Sequence, residues 1–443
     1  LKRYRVGGFV RDTLLGLEPK DVDYVVVGSS PEEMIDLGFK EVGAHFPVFL
    51  HPDTQDEYAL ARFEQSTGDG HRDFSFRWKG VTLEQDLGRR DLTINAMAMD
   101  DDGKIIDPLG GQADLKSKTL RHAGEAFVED PLRVLRVARF AARYPAFTVA
   151  QETLDLMEQI VEKGMLQTLS AERVWAETEK ALLSESPNRY FNILRYVGAL
   201  EVLFPEVDAL SGIPQRVDYH AEGDAYFHTM CVLEEACTLT KDLPPARQLR
   251  IRFAALVHDL GKAKTPKKYL WGMDNEMLGK HPGHEAPEVF SPLLDALCNR
   301  IRVPGYLRKF GATVTEAHQI IHKISQVSKK GLNRVYETIG GNRAIRMDDY
   351  LLSDIATACY ADSLGRLILG PDRVPYQQRS YPQADYFVGA MMALQAVEAG
   401  PIILKHLEKG GQQTKALELV VEARRKAAQK YIDETAGGID FPR

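Results

Sequence analysis

Two regimes of hydrophobic patterning divide the chain. Over about the first 115 residues, short β-branched and aromatic runs alternate with turn residues. Tyr24-Val25-Val26-Val27 is one such run and stops at Gly28. Phe46–Leu50, Glu57–Ala61 and Lys104–Ile106 are three more, and all four are read as strands. Thr93–Met99 is read as a helix. The Ser/Thr/Gly/Asp cluster from Gln65 to Gly70 is read as a mobile loop between strands. After Glu129 the period changes. Leu132, Leu135, Val137, Ala138 and Phe140 recur at helical spacing, and helical signals run to the end of the chain. Breaks are expected near Pro145, Pro187, Pro205, Pro214, Pro244 and Pro304. No internal repeat is visible. A charged helical tail, with Glu422-Ala423-Arg424-Arg425-Lys426 as a solvated face, closes the sequence. The pattern predicts an α+β protein, with a mixed β-sheet and its helices first and an extended all-α region after it.

At 443 residues the chain is long enough for two to four domains of roughly 100–200 residues each. Hydrophobic residues make up 44% and charged residues 27%, which excludes a disordered or fibrous chain. The net charge of -7 advertises no global affinity for nucleic acid, but a partner responds to the local potential. No run approaches the roughly 18 apolar residues of a membrane span, and no membrane partner is expected. The start, Leu1-Lys2-Arg3-Tyr4-Arg5-Val6, lacks the apolar segment of a signal peptide, so a cytoplasmic compartment is expected. Cys231, Cys237, Cys298 and Cys359 are widely spaced and are read as buried thiols rather than a zinc or disulfide set.

Candidate chemistry begins at Val6-Gly7-Gly8-Phe9-Val10-Arg11-Asp12: a strand end, two glycines and a helix start. Glycines let a ligand approach the backbone, a helix N-terminus offers free N–H groups to phosphate, and Arg11 can add a bidentate contact. Asp21-Val22-Asp23 then precedes the Tyr24–Val27 strand. Residues i and i+2 of a strand share a face, so two carboxylates lie side by side and a pair of Mg²⁺ ions would compensate them. Asp107 is a candidate third acid, although a turn-forming Asp-Pro is the commoner explanation. In Arg89-Arg90-Asp91-Leu92-Thr93-Ile94-Asn95-Ala96, Asp91 is read as a helix N-cap and the arginines as holders of triphosphate or sugar. Asp130, Arg133, Arg136 and Arg139 recur every third residue and can lie along one side of a helix. Three arginines against one acid exceed what ion pairing needs. Ser170-Ala171-Glu172-Arg173 opens a capped helix that is read as structural. Arg121, His122, Arg133, Arg136, Arg139 and Arg143 make a local basic strip suited to RNA.

A second constellation follows. His258-Asp259-Leu260-Gly261-Lys262 ends an apolar helix, with His228 upstream and His284, His318, His322 and Asp362 downstream; Asp354 rivals Asp362. Imidazoles with carboxylates suit transition metals. The lysine-rich stretch Lys262–Lys280 reads as an inserted loop over this site.

The glycine turn followed by Asp-x-Asp is the signature of the nucleotidyltransferase palm shared with DNA polymerase β. The order Gly-Gly-x-Val-Arg-Asp, Asp-x-Asp, Arg-Arg-Asp-x-x-x-Asn-Ala and Glu-Asp-x-x-Arg resembles the bacterial CCA-adding enzymes, the class II tRNA nucleotidyltransferases, through about residue 205. The resemblance implies template-independent addition and repair of the tRNA 3′ CCA from CTP and ATP, with release of pyrophosphate. It implies Mg²⁺ on Asp21 and Asp23 as the catalytic pair, and nucleotide contacts from Gly8, Arg11, Arg90, Asp130, Arg133, Arg136 and Arg139. Asp130 and Arg133 would serve as a protein template for the bases. The Gln65–Gly70 loop would help switch from CTP to ATP. The later set resembles the HD phosphohydrolases. That likeness implies Ni²⁺, Mn²⁺ or Mg²⁺ on His228, His258, Asp259, His284, His318 and Asp362, with 2′,3′-cyclic phosphodiesterase, 2′-nucleotidase and phosphatase activity. The division expected is a palm over 1–140, a helical neck over 141–205, an HD-bearing body over 206–375 and a tail over 376–443. Partners would be tRNA, CTP and ATP, with the chain a monomer or homodimer. A poly(A) polymerase, a partial C- or A-adding enzyme and a mainly HD-type hydrolase are the alternatives.

Overall fold

The computed structural model describes the chain except residues 43–47, 67–73, 273, 275, 371, 373, 378–379 and 436–443. It divides into two compact units, Leu1–Leu203 and Phe204–Arg443.

The first unit is built on a sheet of seven strands among the described residues. They are β1 (Lys2–Val6), β2 (Asp23–Val27), β3 (Lys40–Val42), β4 (Val48–Leu50), β5 (Glu57–Leu60), β6 (Ala98–Met99) and β7 (Ile105–Ile106), in the order β3-β4-β5-β2-β1-β6-β7. β2 runs antiparallel to β1 and parallel to β5, which makes the sheet mixed. The run Tyr24–Val27 is continuously apolar because both faces of the sheet are covered. Val25 packs with Val6, Leu87 and Ala98 on one face, and Val26 with Met34, Phe49 and Tyr58 on the other. Register then places the chemistry. Val6 pairs with Asp23, so the Gly7–Gly8 turn leaves β1 beside the point where the aspartates lead into β2. Gly7 has φ 65°, a conformation that favours glycine, and its backbone passes close to the Arg90 guanidinium.

Three helices of this unit carry further site residues: α1 (Gly8–Leu14), α2 (Leu132–Arg143) and α3 (Ala171–Leu182). In α2 the apolar face of Val134, Leu135, Val137, Ala138 and Ala141 is fully buried, as its helical spacing predicts.

Some expectations need correction. Thr93–Met99 is not a helix. A single 3₁₀ turn spans Thr93–Asn95, and Ala98–Met99 then pairs with β1, because sheet pairing outweighs local helical preference. Gln65 and Ser66 belong to a strand, Phe63–Ser66, that pairs with Phe74–Arg77; the remainder of the expected loop lies outside the described residues. The region after residue 140 also contains short strands. Thr148–Val149 pairs with Thr119–Leu120, and Leu367–Leu369 with Pro375–Gln377. Pro187 and Pro205 open helices, where a missing N–H costs nothing.

The second unit is helical around α4 (Ala225–Thr240), α5 (Pro245–Val257), α6 (Gly305–His322) and α7 (Leu351–Leu364). Leu233, Phe253, Leu256, Val314 and Ile355 are among its fully or nearly fully buried core residues. Gln383–Leu407 passes a membrane-span test of length and composition with mean hydropathy 1.6, which the reading of short apolar runs did not anticipate. It carries Asp385, Glu398 and Lys405, and Phe387, Ala390, Met391 and Leu394 within it are buried in the unit's own core. All four cysteines are free. Three are buried and Cys231 is partly exposed, and burial pushes the Cys231 thiol up to about 11 and that of Cys298 to about 12.

Candidate functional sites

The first unit holds a cleft of about 740 Å³. Asp21, Asp23, Gly7 and Gly8 line one part of it; Arg90, Asn95, Asp130, Arg133, Arg136 and Arg139 line the remainder, with Arg11. Ten arginine or lysine side chains and five carboxylates line it in all, so the cleft is basic within an acidic chain. Asp21 lies just before β2 and Asp23 is its first residue. Desolvation, and then the neighbouring Asp21, raise the Asp23 carboxyl above its ordinary value against the pull of Arg90. Two adjacent carboxylates facing a basic wall fit a divalent cation such as Mg²⁺.

Asp91 organises the floor. It is fully buried, accepts from Asn95 Nδ2 at 2.9 Å and from the Leu92 N–H at 2.8 Å, and pairs with Arg136 at 2.6 Å. Burial pushes its carboxyl up, but Arg136, Asn95 and the Leu92 amide outweigh burial and hold it well below the ordinary range. It is therefore a buried hub and not the helix cap expected. Asn95 Oδ1 in turn accepts from Arg11 at 2.5 Å, and Arg11 also pairs with Asp12 at 2.8 Å. Asp12 is tied to Arg143 at 3.2 Å and to the Tyr144 hydroxyl at 3.1 Å.

The three-residue stripe is used more fully by the protein itself than a ladder would be. Arg133 donates to the Ala126 and Arg89 carbonyls. Arg139 pairs with buried Glu177 and stacks 4.3 Å over Phe140. Arg133 and Arg139 are each only 8% exposed, Arg121 pairs with Asp114 and Glu152, and His122 bonds Thr153. The expected basic strip is thus not an open surface; its arginines are fixed by partners and several turn toward the cleft. Asp107 is not in the cleft. Its carboxylate accepts from the Gly111 and Gln112 amides at 2.7 and 2.8 Å, a helix-capping role.

In the second unit the histidines converge. His228 comes from α4, His258 and Asp259 follow α5, His318 and His322 lie on α6, and Asp362 lies on α7. His228, His258, Asp259, His284, His318 and Asp362 are all at most 5% exposed. One Asp259 oxygen stands 3.2 Å from His258 Nε2 and 3.6 Å from His228 Nε2, and the other 3.1 Å from His284 Nε2 and 3.8 Å from His318 Nε2. Asp362 approaches His228 Nε2 at 3.1 Å. His258 Nε2 is buried with no hydrogen-bonding partner among the described residues, and Asp259 Oδ1 likewise, while Asp259 Oδ2 has the Lys262 ammonium as its ion-pair partner. The opposite ring nitrogen is occupied in each histidine. Nδ1 of His258, His284 and His318 faces the Ala255, His281 and Thr315 carbonyls at 2.8, 2.7 and 2.6 Å. A carbonyl only accepts, so each Nδ1 carries the proton and each Nε2 lone pair faces the others. Orphaned acceptors aimed at one another are what a transition-metal site requires. Burial pushes the His318 pKa well down, which keeps that ring a neutral donor.

Asp354, the rival of Asp362, is instead locked to Arg247 and Arg250 away from the cluster. His322 is tied to Asp362 at 2.6 Å and to the Tyr381 hydroxyl at 2.8 Å, so it orients Asp362. The expected inserted loop is folded: Leu260–Lys264 is a 3₁₀ turn, and Lys262 Nζ reaches Asp259 at 2.6 Å.

Comparison with known proteins decides the family. The chain is 46% identical over 431 residues to the multifunctional CCA protein of Dechloromonas aromatica (strain RCB), covering 97% of both chains. It is 44% identical over 442 residues to the multifunctional CCA protein of Paraburkholderia phymatum, covering 98% of this chain and 99% of the relative. The chain belongs to the multifunctional CCA protein family. Within the chain, residues 3–121 match the poly A polymerase head domain and residues 146–210 a probable RNA and SrmB-binding site of polymerase A. Its fold is that of a CCA-adding enzyme in an apo form, with TM-score 0.62 and 19% identity over 99% of this chain and 92% of the other. It is also that of the Thermotoga maritima CCA-adding enzyme complexed with tRNA_CCA, with TM-score 0.58 and 18% identity over 99% and 92% of the chains.

Two groups of this multifunctional CCA protein escaped the sequence reading. Arg173, read as structural, lines the cleft and pairs with Asp130 at 2.9 Å. Nothing in the spacing along the chain signals that pairing, since Asp130 already has three arginines at helical spacing. His220 and Glu222 stand directly behind His228, and an isolated His-x-Glu gives no such signal.

Proposed function

We propose that the first unit adds CCA to the 3′ end of tRNA without a nucleic-acid template, from CTP and ATP, with release of pyrophosphate. The observation that carries this reading is the basic cleft with Asp21 and Asp23 on its wall, in a chain of the multifunctional CCA protein family. The arginines neutralise a triphosphate, and the Gly7–Gly8 turn lets its oxygens approach the backbone. Asp21 and Asp23 would hold Mg²⁺, which when bound favours ionisation of the 3′-hydroxyl and stabilises the leaving pyrophosphate. Asp130 and Arg133 would offer an acceptor and donors to the base edge. Cytosine and adenine each present an amino donor beside a ring acceptor, while guanine and uracil leave a mismatched group. Each such group costs about 1–3 kcal/mol, roughly tenfold in selection. Asp130 already accepts from Arg173, so an incoming amino group must rearrange that pair. CCA-adding enzymes solved with ATP and with CTP share the fold and support these partners.

The second unit supports a further reading, a metal-dependent phosphohydrolase acting on 2′,3′-cyclic phosphates, 2′-nucleotides and phosphomonoesters. Its support is the convergence of four imidazole Nε2 atoms and two carboxylates about Asp259, with His258 Nε2 unpartnered among the described residues. Ni²⁺, Mn²⁺ or Mg²⁺ is the ion proposed, and its chemistry there would be activation of water. We assign the chain to the cytoplasm, a reducing compartment in keeping with four free thiols, as a monomer or homodimer.

The deciding experiment incubates the protein with a tRNA ending at its discriminator base, Mg²⁺, CTP and ATP, and sequences the product. A single added CCA is expected. A long A tail would identify a poly(A) polymerase, CC alone a partial enzyme, and no addition would leave the phosphohydrolase as the main activity.

A further inference from the structure

Three of the four cluster histidines are oriented by backbone carbonyls, which no side-chain substitution removes. His228 differs. Its Nδ1 lies 2.9 Å from Glu222 Oε1, and the same oxygen lies 2.8 Å from His220 Nδ1. The Glu222 side chain is only 2% exposed. Its other oxygen accepts the Leu367 N–H at 2.9 Å, and Ala221 N–H donates to Leu367 O at 2.8 Å. Glu222 thereby fastens His228 on α4 to the strand that directly follows α7, the helix of Asp362. Glu222 is thus a buried carboxylate whose two oxygens accept from three N–H groups, two of them imidazole. It is what a metal-facing imidazole needs behind it.

We infer that Glu222 is the positioning residue of the metal cluster: it holds His228 as the Nδ1–H tautomer and aims its Nε2 lone pair at the Asp259–Asp362 centre. The inference rests on the metal-site reading of the second unit. Glu222→Gln keeps the shape but has one accepting oxygen where the carboxylate has two. That oxygen serves either the Leu367 N–H or the histidine N–H groups. Facing His228 with its NH₂ group instead, the glutamine donates to Nδ1 and moves the ring proton to Nε2, which removes the ligand.

The test uses the full-length protein freed of metal by chelation, with Co²⁺ as probe, read by its visible d–d absorption. Histidine ¹⁵N shifts of the metal-free protein report the tautomer. Wild type is expected to bind Co²⁺ and to show His228 as Nδ1–H. E222Q is expected to bind Co²⁺ about 10–100-fold more weakly and to show the Nε2–H form. Equal Co²⁺ affinity in E222Q and wild type, or an Nε2–H His228 in wild type, overturns the inference; the wild-type reading needs no variant to fold. H258A separates the two levels. If it binds Co²⁺ as tightly as wild type, the metal site itself is refuted, whatever E222Q does.

Discussion

A single carboxylate, Asp91, shows how the cleft is held. It is surrounded by donors and nearly closed off from water. Replacing it by asparagine takes the nearer counter-charge from Arg136, which keeps Glu177 at 3.9 Å and is 34% exposed, so the cost is below the about 3–5 kcal/mol of a fully buried pair. Urea unfolding of D91N is expected to show that loss. The sign with pH follows from the direction of the shift. A carboxyl depressed in the folded state stabilises above its unfolded pKa of about 3.9 and loses that contribution as pH falls toward the depressed value. Wild type should therefore lose stability steeply below that pH, and D91N should be flatter there. Asp21 and Asp23, by contrast, remain open to solvent. D21A and D23A should melt like wild type while nucleotide addition falls by about 100-fold or more, the several kcal/mol expected of a lost cation site.

Among the elements, the 3₁₀ turn Leu260–Lys264 has the tightest tolerance. A Cβ on Gly261 would collide with the His284 carbonyl. The turn needs glycine here for close approach and not for φ, since a backbone oxygen, unlike a side-chain end, cannot swing away. Gly261→Ala should push the His281–His284 loop off the cluster. We expect weakened Co²⁺ binding, measured by the same absorption titration, with nucleotide addition by the first unit unchanged. The strand β2 is the counterpart in the first unit. Its apolar run was readable because both faces are buried, and its register with β1 brings Asp23 beside the glycine turn. The segment Thr93–Met99 was misread for the complementary reason. Its apolar residues are buried on all sides, and periodicity cannot separate a buried turn and strand from a helix.

At the scale of the whole molecule, the two candidate sites lie in two compact units, each with its own acids. They should be separable. The double variant D21A/D23A is expected to abolish nucleotide addition and keep hydrolysis of a 2′,3′-cyclic nucleotide, and H258A to do the reverse. Parallel assays of both reactions on both proteins check this, and loss of both activities in either variant would refute the two-site reading. The sequence by itself determined the α+β division, the apolar β2 run, the α2 core face and the types of residue at both sites, because these depend on local spacing and on the limited chemistry of Asp, His, Arg and Gly. Only the tertiary structure decided which of those groups are committed elsewhere. It placed Asp354 in an arginine clamp, Asp107 on a helix end, Arg173 against Asp130 and Glu222 behind His228. Those pairings join residues up to 107 positions apart, in the case of Arg247 and Asp354. A buried polar group takes whichever partner the packing brings within reach, and spacing along the chain carries no record of that partner.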